Sequence, residues 1–185
     1  RFSNRLLEPI WNALHIEKME IVFDEQLALE GRAKYYDASG ALEDMIQSHL
    51  LRIIAFIAIC PPASLGERAL RDLVAATLRA ASVPGEFHRS TRRARYTAGV
   101  IDGREVQAYS DSPGVDPARN TETLAEIEIA INNDRWAGVP FILRSGKAQA
   151  RTRKEAVVTF RKVNHLPDGF SGSTAAPSRL RISFN

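Results

Sequence analysis

The sequence predicts an α+β fold, with helices packed on one face of a large, mainly antiparallel β-sheet. Three observations point to it. Between residues 37 and 82 apolar residues recur at three- and four-residue steps, from Arg92 onward they recur at every second residue, and the strands follow the helices as a block. Helices followed by a run of strands specify helices segregated to one side of a sheet, not alternating βαβ units.

Taken in order, residues 1–7 read as the tail of a helix closed before Pro9, because the residue preceding a proline is pushed out of the helical region. Residues 18–23 alternate around Met19, Ile21 and Phe23 and predict a strand that ends at Asp24 and Glu25. Gly31 and the pair Tyr35, Tyr36 lead into the longest predicted element, one continuous helix over residues 37–60. Its stripe is Ala41, Leu42, Met45, Ile46, Leu50, Ile53, Ile54 and Ile57, and Pro61 and Pro62 stop it. Ser64 and Glu67 have the spacing of a capping box, opening a second helix to about Ser82 with Leu70, Leu73, Val74, Thr77 and Leu78 on one side. Further strands are predicted at residues 96–101, 123–132, 139–144, 156–163 and 180–184. Residues 111–120 and 169–178 are loops, rich in Pro and Gly in the first and in Ser, Gly and Ala in the second.

Composition limits the function classes. The 185 residues are 44% hydrophobic and 25% charged, enough for one core or two small ones. A net charge of +3 and a pI near 9.2 favour anionic ligands without the continuous basic stripe that nucleic-acid binding needs. The single cysteine, Cys60, excludes an internal disulfide and is expected as a buried thiol. The longest apolar run, residues 53–60, is far short of the ~20 residues that span a bilayer. A cytoplasmic protein that binds neither membrane nor nucleic acid is expected. Its glycines are nowhere spaced as in a dinucleotide-binding turn, so the chain holds no nicotinamide cofactor in that way.

His49 falls within the apolar stripe of the long helix, and Asp44 lies five residues before it. A histidine in such a place is most often a core residue bonded to a neighbouring carbonyl, and on an α-helix a five-residue step turns Asp44 about 140° away from it. The helix alone makes no site.

The wording of this stretch, however, resembles glucose-6-phosphate dehydrogenase. Asp37, Gly40, Asp44, His49, Leu50 and Leu51 stand in the family's D-x-x-G-x-x-x-D-x-x-x-x-H-L-L frame. RFSNRLLEPIWN at residues 1–12, EGRAKYYD at 30–37 and DRWAGVPFILRSGKA at 134–148 follow its other segments in order. The resemblance implies the substrate-binding C-terminal domain, incomplete in this chain (residues 1–185), of an enzyme that oxidises glucose 6-phosphate at C1 with hydride transfer to NADP. An upstream domain would hold the NADP, and subunits would pair through the sheet as homodimers or homotetramers.

By the same resemblance His49 is the general base, an imidazole being suited to removing a hydroxyl proton near neutral pH. The carboxylate that orients this buried ring would lie in the upstream domain. Glu25 and Asp44 match acidic positions that accept hydrogen bonds from sugar hydroxyls, and Lys147 matches a lysine beside the sugar phosphate. Thr152 departs from a second basic position, leaving Arg151 or Arg153 to substitute, and Val157 stands where members with a structural NADP carry a cation. The row Ile127, Ile129, Ile131 or its polar reverse side is the expected subunit surface. The competing expectation is a non-enzymatic binding module that keeps this fold and holds an anionic partner through Arg92, Arg93, Arg95 and residues 151–154.

Overall fold

The computed structural model describes residues 2–169 and 176–184. Its strands are β1 (Ile16–Asp24), β2 (Ala81–Ser82), β3 (Thr91–Ala94), β4 (Gly99–Ile101), β5 (Arg104–Val106), β6 (Leu124–Ile131), β7 (Pro140–Gly146), β8 (Arg153–Phe160) and β9 (Arg179–Ser183). Among the described residues one sheet runs β2-β6-β7-β1-β8-β9, with β3 also on β6, while β4 and β5 form a separate hairpin. Every pairing is antiparallel except β1 with β7. The predicted α+β class, with a mainly antiparallel sheet, is what forms.

Period-two alternation decides which side of the sheet becomes core. Ile129, Phe141, Met19 and Val158 line up across four strands, and Ile127, Leu143, Ile21 and Ala156 form the next row. All eight are buried beneath the helices. Glu126, Glu128, Ile142 and Arg144 alternate with them and face the other way. The isoleucine row is therefore core and not a subunit surface.

Helices α1 (Ala33–Ala41), α2 (Leu51–Ala58), α3 (Glu67–Arg79) and the single-turn α4 (Phe87–Ser90) come with a π-helical segment, Leu42–Leu50, between α1 and α2. That segment rests on β6 and β7, and α3 packs on α2. The expected continuous helix is broken at Gly40, whose φ of 66° and ψ of 179° lie outside helical space. Only glycine adopts that backbone readily. Beyond it one buried row runs Ala41, Ile46, Leu50, Ile54 and Ala58, one step of five followed by steps of four, with Ala55 and Ile59 buried beside it. A ladder of i to i+5 bonds carries the first of these steps. Two indoles close the far end: Trp11 Nε1 donates to the carbonyl of Ile57 (3.0 Å) and Trp136 Nε1 to that of Ala58 (2.7 Å), satisfying acceptors that a helix terminus leaves open.

Other expectations shift for local reasons. Residues 2–7 form turns, since Asn4 Oδ1 accepts the amides of Leu6 and Leu7 and competes with a helix; Arg1 lies outside the described residues. The capping box does not form. Ser64 Oγ accepts from Gly66, Gly66 is the N-cap, and Glu67 pairs with Arg71. The second helix stops at Arg79 because Ala81 and Ser82 pair with Ile131 and Ala130. The strand expected at 156–163 is displaced to β8, as Arg161 leaves the sheet to bond the carbonyls of His15 and Ala13. Residues 170–175 of the expected loop lie outside the described residues. Cys60 is exposed, not buried, because the chain leaves the core at the double proline. No helix of the described residues is long and apolar enough to cross a membrane.

Replacing Gly40 by alanine would strain the backbone at positive φ and place a Cβ 2.7 Å from Glu122 Oε1. We expect a loss of about 2–4 kcal/mol, read as a lower denaturant midpoint with an unchanged slope.

Candidate functional site

Because β1 and β7 run parallel, their carboxyl ends open at the same edge of the sheet. Glu25 and Lys147 are the next residue of each chain segment. The Glu25 amide donates to the carbonyl of Gly146 (2.8 Å), and the Gln149 amide returns to the carbonyl of Glu25 (2.9 Å). The Lys147 amide donates to Thr123 at the head of β6 (2.9 Å). The turn after Lys147 is completed by Ala148 at a φ of 53°, a strained backbone for a non-glycine residue.

Two ammonium groups hold the Glu25 carboxylate, Lys147 Nζ at 2.7 Å from Oε2 and Lys154 Nζ at 3.0 Å from Oε1. Burial pushes the Glu25 carboxyl up, but the hydrogen bonds and charges of Lys147 and Lys154 outweigh it and leave it below its ordinary 4.5. Lys147 is 8% exposed, and its Nζ also lies 5.6 Å from the centre of the Tyr36 ring. A second cation, Lys154, thus shares the Glu25 carboxylate with Lys147. Arg153 is turned to Glu155, where Arg181 joins it.

Tyr36 sits at the centre of the arrangement. Its hydroxyl is buried without a hydrogen-bond partner, and burial together with the charges of Glu122, Asp44 and Glu25 drives its pKa far upward, so the phenol stays neutral. Asp44 Oδ1 accepts the hydroxyl of the exposed Tyr35 at 3.1 Å, and that bond raises the Tyr35 pKa.

His49 is exposed, contrary to the expectation of a buried ring. The apolar stripe steps from Ile46 to Leu50, and His49 stands just outside it. Among the described residues no side chain pairs with its imidazole. The π-helical winding has a further effect. Hydrogen bonding from i to i+5 brings residues five apart toward the same side, so Asp44 and His49 share a face that an α-helix would have denied them. The structure therefore joins Glu25 and Lys147 beside Tyr36, ties Asp44 to the neighbouring Tyr35, and sets His49 farther along the segment that carries Asp44.

Sequence reasoning missed Tyr36, Glu122 and Lys154. Tyr36 reads as half of an aromatic pair, and only the start of α1 at Ala33 shows which of the two points inward. Lys154 reads as part of a solvated basic run. The arginines of the competing binding module are largely spoken for: Arg92 pairs with Glu126, Arg93 with Glu122, and Arg95 with Asn120 and the Pro117 carbonyl. They do not form a free anion-binding stripe.

The Glu25 pairing sets a pH dependence. A carboxyl held below 4.5 in the folded state contributes stability above that value, and the contribution is lost as the pH falls through the lower folded value. Between about pH 6 and pH 3.5 the thermal midpoint of the wild type should therefore fall more than that of Glu25→Gln.

A family model described as the glucose-6-phosphate dehydrogenase C-terminal domain matches residues 1–185. Among similar proteins, a glucose-6-phosphate 1-dehydrogenase of Rhizobium meliloti is 42% identical over 98% of this chain and 37% of its own length. One of Zymomonas mobilis is 41% identical over 98% of this chain and 38% of its own. The crystal structure of the enzyme from Mycobacterium avium superposes with a TM-score of 0.82 at 31% identity, covering 99% of this chain and 38% of that one. A glucose-6-phosphate dehydrogenase in complex with its substrate glucose-6-phosphate gives 0.82 at 26% identity, over 99% of this chain and 42% of the other. The chain spans less than two fifths of the length of these two sequence relatives. With a match along its whole length, this chain belongs to the glucose-6-phosphate dehydrogenase family, as its C-terminal domain.

Proposed function

We propose that this chain is the substrate-binding part of an enzyme that oxidises glucose 6-phosphate at C1 to the 6-phospho-lactone. The observation that carries the reading is the cluster at the sheet edge, where buried Lys147 meets the Glu25 carboxylate and the ring of buried Tyr36, with Asp44 and an exposed imidazole on the helical segment that packs on β7. A phosphate dianion is recognised by Lys147, a compact cation already stripped of most of its water, with Lys154 close by. Glu25 and Asp44 accept hydrogen bonds from sugar hydroxyls. His49 takes the proton of the C1 hydroxyl as the C1 hydrogen leaves as hydride.

The hydride goes to NADP, which supplies the oxidising equivalent. The residues of this chain do not fit that cofactor: among the described residues β1 leads through a connection to α1 that lacks the glycine-rich strand-to-helix turn of a dinucleotide cradle. NADP therefore belongs to the part of the polypeptide beyond this chain, and the exposed His49 ring is open to a carboxylate supplied from there. This chain alone is then inactive. The polar reverse side of the sheet, with Glu20, Glu126, Glu128 and Ile142, is the surface through which subunits pair as dimers or tetramers, and the compartment is the cytoplasm.

In the complete polypeptide, glucose 6-phosphate should drive formation of NADPH. His49→Asn should lower kcat at least about 100-fold with little change in KM, because it removes a group used in the transition state. Absence of turnover by folded wild type with NADP or NAD would overturn the reading. Lys147→Ala should act mainly on KM, raising it about tenfold or more, as expected for lost phosphate binding.

A further inference from the structure

We propose that Glu122 is a positioning residue of this site, acting through the backbone of the π-helical segment on Asp44 and His49; the inference rests on the function proposed above for those two residues. Glu122 is 8% exposed, an uncommon location for a carboxylate. It precedes the alternating strand and touches none of the residues expected to meet substrate. Its contacts are with the start of the segment that carries them.

The helix is interrupted at Gly40, so the amides that follow lack ordinary helical acceptors. Glu122 supplies both replacements. Its backbone carbonyl accepts the Ala41 amide at 3.2 Å, and its Oε1 accepts the Leu42 amide at 2.9 Å. Oε2 faces the Arg93 guanidinium at 3.7 Å, which orients the carboxylate. Gly40 leaves the room this needs, since a Cβ there would come within 2.7 Å of Oε1. A carboxylate at a helix N-terminus complements its dipole as well as its open donors.

The neighbouring residue completes the arrangement. The Thr123 carbonyl accepts the Lys147 amide at 2.9 Å, so two successive residues hold the two halves of the site. Glu122 fixes the origin of the segment bearing Asp44 and His49, and Thr123 fixes the turn bearing Lys147. Loosening the first while keeping the second should displace the base relative to the phosphate anchor. Displacements of about an ångström can cost orders of magnitude in rate.

The test compares wild type, Glu122→Gln and Glu122→Ala as complete polypeptides, at a temperature where each is folded by its thermal transition. Steady-state kinetics with glucose 6-phosphate are read beside hydrogen exchange of the amides of residues 41–50. Glutamine keeps an oxygen for the Leu42 amide and should retain kcat/KM within about threefold. Alanine should lower kcat roughly tenfold or more while KM moves less than about threefold, with faster exchange at Leu42 and along the segment. Where Glu122→Ala does not fold, Glu122→Asp, one methylene too short to reach Leu42, carries the same expectation.

Wild-type kcat and KM in the folded alanine or aspartate variant overturn the proposal, and so does loss in Glu122→Gln equal to that in Glu122→Ala. Unchanged exchange at Leu42 overturns it without reference to turnover. Wild type and His49→Asn in the same series show separately whether the underlying function holds.

Discussion

The site depends on one pairing, the parallel alignment of β1 with β7 in a sheet that is otherwise antiparallel. In an antiparallel pair the end of one strand faces the start of its neighbour, and residues emerging from the two would lie at opposite edges. The parallel register from Met19↔Phe141 to Asp24↔Gly146 instead delivers Glu25 and Lys147 to the same edge. Parallel neighbours need a long crossover connection, and here it contains α1 to α4, the β4–β5 hairpin and β6. The last rungs are reinforced from the side: Arg144 Nε lies 3.1 Å from both oxygens of the buried Asp24, and Ser145 Oγ donates to the Phe23 carbonyl at 3.2 Å.

The electrostatics at that edge follow from burial. An ammonium taken out of water needs a partner, and Lys147 has two, the Glu25 carboxylate and the face of Tyr36. The Tyr36 hydroxyl has none, and leaving such a group unpaired is unfavourable by about 1–3 kcal/mol. Phenylalanine would supply the same ring without that penalty. Strain of a second kind lies nearby, in the positive φ of Ala148. An unpaired polar group and a strained backbone thus lie beside the same lysine.

How much of this the sequence shows depends on which force sets each feature. The sheet was legible because alternation is imposed by burial on one face, as in Ala125, Ile127, Ile129 and Ile131. The helical stripe was legible for the same reason. The winding was not, because π and α turns bury nearly the same set of aliphatic residues, and what distinguishes them is the side on which the remaining polar residues emerge. His49 was thus placed in the core by a pattern correct for Ile46 and Leu50. The β4–β5 hairpin turns on Asp102 and Gly103, both at positive φ, a dipeptide signal that was present and unused. Glu122 had no signal, since its importance comes from a glycine more than eighty residues earlier in the chain.

That long-range contact explains why the segment can be π-helical at all. An uninterrupted α-helix from α1 would continue through residue 42 by its own hydrogen bonds, and would turn Asp44 and His49 about 140° apart. Gly40 breaks the ladder, and Glu122 then holds the loose end where the new ladder begins. At the other end Leu51 returns to α-helix, its amide reaching the carbonyls of Ile46 and His49, and the two indoles fix the terminus at Ile57 and Ala58. The segment is therefore held at both ends by groups outside itself. A winding that is rarely stable alone persists because its neighbours determine where it starts and stops, and its consequence is that an acid and an imidazole five residues apart come to one face of the helix.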